Sequence, residues 1–163
     1  MDSEGYRRAL DAHKDRVYGY ALRMLGNTAE AEDVAQEALV RLWRHRKKVD
    51  GLDAARAWLL RTAQNLCFDR LRQRRTRPQA VLDEERPGLT LAPDRAAHSG
   101  ELAKEIGRAL ERLSHRDRSL VVMREIEGMS YGEIASSLEM PLGTVKATLH
   151  RAREKLRKTL ISG

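Results

Sequence analysis

Residues 127–160 read EGMSYGEIASSLEMPLGTVKATLHRAREKLRKTL, and this stretch decides the fold. Ser130 and Glu133 stand at the spacing where a cap hydroxyl and a third-residue carboxylate bond each other's backbone amides, so a helix begins at Tyr131. Its inner face is Ile134, Ala135 and Leu138, and small Ala135 permits a close helix crossing. EMPLG then breaks the chain ahead of a last helix from about Thr144. On that helix Val145, Leu149, Ala152, Leu156 and Leu160 form the buried stripe, turning Ala147, His150, Arg151 and Lys158 outward with Lys146 at the flank. The pair is a helix-turn-helix, whose second helix can enter a major groove. Ser114 with Asp117 has the same capping spacing, and starts a helix over HRDRSLVVMREIEG.

Outward from there, the chain is helical throughout. Apolar residues recur at helical spacing and alternating runs are absent, which predicts an all-α protein. The clearest interruption is RPQAVLDEERPGLTLAPDRAAHSG, residues 77–100, which holds three of the four prolines. It reads as a flexible linker, giving two small helical domains at 1–77 and 101–163 with the linker at 78–100. The first domain carries 17 Lys and Arg against 11 Asp and Glu, the linker 2 against 4, and the second domain 12 against 9. The net +7 therefore sits on the two domains and favours a polyanionic partner, although a basic enzyme shares such totals. With one Phe in 163 residues, the cores must be aliphatic.

Several classes are excluded or disfavoured. No apolar run is long enough to cross a bilayer, and MDSEGYRRAL lacks the core of a signal peptide, so a cytoplasmic protein without membrane insertion is expected. Cys67 is the sole cysteine, which rules out an internal disulfide, and no CxxC or HxxxH grouping offers a metal site; no cofactor is expected. In its helical context Cys67 reads as a buried structural thiol. The five His, at 13, 45, 98, 115 and 150, are scattered and no nucleophile motif or carboxylate cluster accompanies them, so an enzyme is not expected.

In the first domain, Ser3 can cap a helix running to about Leu25, and GNT turns the chain into a second. There Ala31, Val34, Ala35, Ala38, Leu39, Leu42 and Trp43 make one buried stripe. Glu30, Asp33 and Glu37 fall on the far side, a face that repels phosphates: it is either a protein-binding face or a solvated one. A third helix follows VDGLD, with Asp53 as its cap. It ends in Arg70, Arg72, Arg74, Arg75 and Arg77, more cationic than compensation of a helix dipole requires, and this points to nucleic acid. Trp58 and Phe68 read as core, while Asn65 has no packing reason.

At this point YGEIASSLEMPLGTVKATLHRAREKL resembles region four of bacterial sigma factors, and LGNTAEAEDVAQEALVRLWRH with ARAWLLRTAQNLCFDRLRQRR resembles their region two. Together they resemble an extracytoplasmic-function (ECF) sigma factor of the sigma-70 family, over nearly the whole chain outside the linker. The resemblance implies an alternative sigma factor whose partners are core RNA polymerase, through its clamp coiled coil and flap region, promoter DNA and an anti-sigma factor. It implies that Asp33, Gln36 and Glu37 dock on the clamp. Asp50, Gly51, Leu52 and Asn65 match the part that captures an unstacked base of the minus-ten element, with Arg70, Arg72, Arg74 and Arg75 supplying phosphate contacts. Thr144, Lys146, Ala147, His150 and Arg151 match the positions at the minus-thirty-five duplex.

Two departures accompany it. The family usually has Gly where this chain has Glu139, so the turn is expected to differ in shape; Ala147-Thr148 replaces a frequent Ser-Arg, which removes two polar contacts. The alternative is a helix-turn-helix regulator binding duplex DNA on its own, of the response-regulator type. That reading lacks a receiver with alternating strands, since residues 1–77 offer only helices.

Overall fold

A computed structural model describes residues 1–76 and 96–162, all helix or short connection, with no strand among them. The expected linker lies mostly outside the described residues. Helix α1 spans Ser3–Leu25, α2 Thr28–His45, α3 Leu52–Thr76, α4 Ala96–Glu111, α5 His115–Val121, α6 Tyr131–Leu138 and α7 Leu142–Ser162. A 3₁₀ turn follows α2 at Arg46–Lys48, and a wide π turn extends α5 over Val122–Ile126. Residues 96–100, which the sequence assigns to the linker, open α4 as one turn ahead of a break at Gly100 (φ 47, ψ −120).

Local chemistry sets the element ends. Asp2, not Ser3, caps α1: its carboxylate accepts from the Gly5 amide at 2.8 Å, because the side chain one residue earlier reaches the third amide of the helix. Gly26 ends α1 in the left-handed conformation (φ 68), and Asn27 caps α2 through the Glu30 amide at 2.9 Å. Asp53 is inside the first turn of α3 rather than its cap, since Gly51 (φ 92) turns the chain and α3 already begins at Leu52. Ser130 and Glu133 exchange both hydrogen bonds of the capping box, whereas Ser114 makes its half only, to the Asp117 amide at 3.1 Å.

The first three helices form a bundle. Ala31, Val34, Ala35, Ala38 and Leu42 of α2 are buried against α1 and α3, and the small side chains let the backbones approach. Trp43 falls at the edge of this stripe and is 39% exposed; the Tyr6 ring meets its ring edge-on at 5.0 Å and the Arg46 guanidinium lies over it at 3.6 Å. Cys67 is fully buried, and burial pushes its thiol pKa well up, which keeps it protonated. The last four helices pack around Leu110, Leu113, Leu120, Ile134, Val145 and Leu149. Leu160, expected in that stripe, is 39% exposed on the final turn of α7, where it lines an open groove with Glu105, Arg108 and Ala109 of α4 and with Arg112 just beyond it.

The two groups share one core. Tyr20 of α1 is fully buried, its hydroxyl 2.7 Å from that of Ser119 in α5, and the Ser119 hydroxyl donates in turn to the Gln64 side-chain oxygen of α3. Arg118 donates to the Leu110 carbonyl at 3.1 Å and to the Met24 carbonyl at 2.7 Å. Glu127, 8% exposed, is buried at the same seam, where loss of water raises its pKa above the ordinary 4.5 against the pull of Arg23, Arg16 and Arg56. A carboxyl raised in the folded state gives stability that is whole below 4.5 and is lost as pH rises through the folded pKa. Urea unfolding from pH 4.5 to pH 8, roughly the window in which linkage acts, should show native protein losing stability relative to Glu127→Gln as pH increases. Parallel curves would mean that the carboxylate is not penalised.

Candidate functional site

Three surfaces emerge. On α2, Asp33, Gln36 and Glu37 are all exposed, beside a groove between α2 and α3 that is also lined by Val34, Val40, Leu66 and Arg70. Glu37 is held by Arg41 at 2.9 Å, and Arg70 reaches across to Asp33 at 3.9 Å and Glu30 at 4.0 Å. Exposed Val40 provides an apolar contact within a largely acidic frame. Such a surface suits a protein helix carrying apolar and basic residues, not a phosphate backbone.

The second surface is α3 and the loop before it. Asp50, Gly51 and Leu52 are exposed, and space around Gly51 is open. Buried His13 anchors this loop with Nε2 2.8 Å from the Leu52 carbonyl; burial lowers its pKa and that hydrogen bond opposes the shift. Asn65 is exposed as well, but it lies 13 positions beyond Leu52 on one helix, about 20 Å along the axis. Loop and Asn65 therefore do not share a single pocket.

The arginine run divides by role. Arg74 donates to the Leu25 carbonyl at 2.9 Å and pairs with Glu30, so it ties α3 to the end of α1 and the start of α2. Arg70 belongs to the acidic α2 surface, and Arg72 pairs with Asp69 one turn back. Arg72 and Arg75 are the members that point to solvent. Arg77 lies outside the described residues. Sequence spacing showed the charge but not the partners of Arg70 and Arg74, which come from α1 and α2.

The third surface is α7. Lys146, Ala147, His150 and Arg151 are exposed together, Thr144 is half-buried at the first turns, and Val145, Leu149 and Ala152 face inward. Thr148 is buried, so only Ala147 of the Ala-Thr pair could have offered a contact to DNA. Glu139 adopts the left-handed conformation (φ 56, ψ 48), and the Met140 amide bonds the Ala135 carbonyl at 2.9 Å. The turn keeps the shape that a glycine would give, correcting the expected change, at a cost of about 1 kcal/mol.

Sequence reading missed Arg56 and Arg61 of α3, which pair with Glu133 of α6 and with Glu139, the residue that ends α6. The placement of Arg61 four residues before Asn65 was the available signal. Among the described residues no cluster of His, Cys, Asp and Glu could hold a metal, and no helix is long and apolar enough to cross a membrane.

Comparison with known proteins bears on all three surfaces. Residues 9–77 match the family model for Sigma-70 region 2, and residues 103–156 that for Sigma-70, region 4. The chain is 37% identical over 174 residues to the ECF RNA polymerase sigma factor SigW of Bacillus subtilis, covering 98% of this chain and 90% of that protein. It is 36% identical over 151 residues to the ECF RNA polymerase sigma factor SigE of Mycolicibacterium smegmatis, covering 91% and 58%. Among solved structures, CnrH in complex with the cytosolic domain of CnrY superposes with a TM-score of 0.69 at 25% identity, over 99% of this chain and 90% of that one. The sigma factor RpoE bound to the anti-sigma factor NepR from Bartonella quintana shares the fold, with a TM-score of 0.73 at 20% identity over 95% and 96%.

Arg74 and Arg75 should separate in experiment. Arg74→Ala removes the side chain that bonds the Leu25 carbonyl and leaves Glu30 with only the longer contact to Arg70, and should cost about 1–3 kcal/mol of unfolding free energy. Arg75→Ala should leave stability within about 0.5 kcal/mol and instead flatten the salt dependence of single-stranded DNA binding. Equal stability losses would contradict this division.

Proposed function

Because the chain belongs to the ECF RNA polymerase sigma factors, we propose that its two helical groups divide the promoter between them while the α2 face holds the polymerase. The chain is an alternative sigma factor, a DNA-binding regulatory subunit that directs transcription initiation. Residues 1–77 form the region 2 domain and 101–163 the region 4 domain, with 78–100 between them. The observation that carries this division is the outward set on α7, held against a buried stripe, in the same chain as a separate acidic, apolar-floored groove.

In this reading Asp33, Gln36 and Glu37 dock on the clamp coiled coil of core polymerase, with Val40 supplying apolar contact. The opened non-template strand of the minus-ten element runs along α3. Asp50, Gly51 and Leu52 receive one unstacked base, Asn65 meets a nucleotide further along, and Arg72 and Arg75 offer guanidinium groups to phosphates. On the duplex of the minus-thirty-five element, Thr144 at the helix start meets phosphate, and Lys146, His150 and Arg151 face base edges, with Ala147 limited to apolar contact. The flap region holds this second domain. An anti-sigma factor is a further partner, as for the sigma factor RpoE solved with the anti-sigma factor NepR. The site of action is then the cytoplasm, where polymerase and chromosome are.

Run-off transcription with purified core enzyme and genomic fragments tests the reading. Discrete starts that depend on the added chain support it, and tight duplex binding without core, with no such starts, would favour a self-sufficient regulator. Glu37→Lys should weaken association with core in sedimentation while helical content stays unchanged. Arg151→Ala should cost about 1–3 kcal/mol at the preferred minus-thirty-five duplex and relax preference at one base position, as for a bidentate guanine contact. Retained discrimination in a fluorescence anisotropy titration of the Arg151→Ala holoenzyme would move the readout to another residue.

A further inference from the structure

The turn between α4 and α5 meets the ends of α1 and α3 around a cleft of about 690 Å³. A volume of that size falls within the roughly 300–1,000 Å³ typical of small-molecule sites. Its walls are cationic. Arg74 and Arg75 stand on the last turn of α3, and His115 and Arg118 on α5, against one carboxylate in the lining, that of Glu111 at the end of α4. Buried Leu71 and Leu113 close the floor.

The four cations differ in what holds them. Arg118 donates to the Leu110 and Met24 carbonyls, and Arg74 donates to the Leu25 carbonyl and pairs with Glu30, so both guanidinium groups are fixed in place. They supply charge without having to reorganise. Arg75 is exposed at the mouth of the cleft, and His115 is half-buried, with its ring 6.3 Å from that of Phe68. Ser114, which caps α5, accepts from the Asp117 amide and keeps a hydroxyl proton to donate.

Positive charge is left uncompensated at this place. Burial, and then the guanidinium groups of Arg118, Arg75 and Arg74, hold the His115 pKa below its ordinary 6.5, and Glu111 does not offset them. The neighbouring arginines of α3 are treated differently, since Arg70 meets Asp33 and Arg72 meets Asp69. Three guanidinium groups and an imidazole thus converge where a bound anion would relieve their repulsion. A planar fork of N–H donors favours phosphate oxygens, and a single phosphate would leave most of the cleft empty.

We propose that this cleft binds a small molecule carrying a diphosphate group, whose oxygens are received by Arg75, His115 and the Ser114 hydroxyl while Arg74 and Arg118 supply the field behind them. Inorganic pyrophosphate and a nucleoside diphosphate share this chemistry, and the cleft has room for either. The lining comes from both ends of the sequence, so the site belongs to the whole chain and not to either helical group alone. It does not require the assignment of α3 to minus-ten DNA.

Isothermal titration of the full-length chain with inorganic pyrophosphate, adenosine diphosphate and inorganic phosphate, at constant physiological salt, tests it. Pyrophosphate or adenosine diphosphate should bind saturably, one per chain, and about tenfold or more tightly than phosphate, because the second phosphoryl group adds charge-assisted hydrogen bonds. Tighter binding of the nucleotide assigns the site to a nucleoside diphosphate, and tighter binding of pyrophosphate to the inorganic ion; either supports the proposal. His115→Gln and Arg75→Gln should each weaken binding roughly five- to tenfold. Arg116→Gln, at an exposed cation outside the lining, should change it by less than about twofold.

Proton NMR supplies a readout that a merely structural role would not move. Saturating ligand should raise the pKa of the His115 ring, whose resonance is identified by its absence from His115→Gln, since phosphate charge favours the imidazolium. The melting temperature of the native chain should rise with ligand concentration, as for a ligand bound by the folded state alone. Arg75→Gln, on an exposed side chain, keeps the test open should His115→Gln lose its fold. Absence of saturable binding, an affinity that neither substitution lowers, or a His115 resonance unmoved at saturation would overturn the proposal. Equal weakening by Arg116→Gln would do the same, because it signals diffuse attraction to a basic surface rather than a site.

Discussion

The Arg118 guanidinium joins the two helical groups at the point where each has carbonyls to satisfy. Met24 and Leu110 lie in the last turns of α1 and α4, where helix carbonyls lack the regular amide four residues on; that of Leu110 also accepts from the Leu113 amide at 3.1 Å. One buried side chain from α5 reaches both. A planar group with five donors suits this task, and lysine in its place could not span the two directions. Around it the apolar residues of α1, α3 and α5 close into a continuous core, with Tyr20 and Ser119 satisfying each other inside it. The outward placement of all three surfaces follows from that closure, since whatever faces the seam is withdrawn from solvent.

Charge in this chain is therefore not a uniform attraction for polyanions. Of the cations on the last turns of α3, Arg70 and Arg74 are engaged by Glu30 and its neighbours, while Arg72 and Arg75 face water. On the opposite side Arg56 and Arg61 are engaged by α6. Part of the basic charge that marks the sequence is thus paired within the molecule, and the exposed groups of α3 and α7 occupy defined strips. Counting residues gives the sign of the partner; only the partners of each residue give the strip.

That difference marks how far the sequence could be read. The helix-turn-helix was legible because its evidence is local: a capping box, a Pro-Gly break and a stripe that repeats within one helix. The stripe of α2 was legible for the same reason up to Leu42. It failed at Trp43, where the decision depends on whether Tyr6 and Arg46 come near, and those residues belong to other elements. Leu160 failed likewise, since its burial depends on how closely α4 packs at that turn, and an open groove lies between them. Asp2 displaced Ser3 because both residue types cap well and the choice between adjacent positions is a matter of one amide. The candidate DNA face of α7 was visible residue by residue, whereas the split of the arginine run depended on Leu25 and Glu30, more than forty positions away.

The same local-versus-distant distinction governs function. A single recognition helix with Ala147 at a central position has few hydrogen-bonding groups to offer a duplex, and the α3 strip offers a similarly short footprint to a single strand. Neither gives much discrimination alone. Two weak sites become selective when a third body fixes their separation, because the second contact then forms at an effective concentration set by geometry rather than by diffusion. In the proposed function the core enzyme, by gripping α2 on one side and region 4 on the other, is that third body. Specificity in this reading belongs to the distance between surfaces as much as to the residues on them, and a chain with modest individual contacts is the kind that such a mechanism can switch.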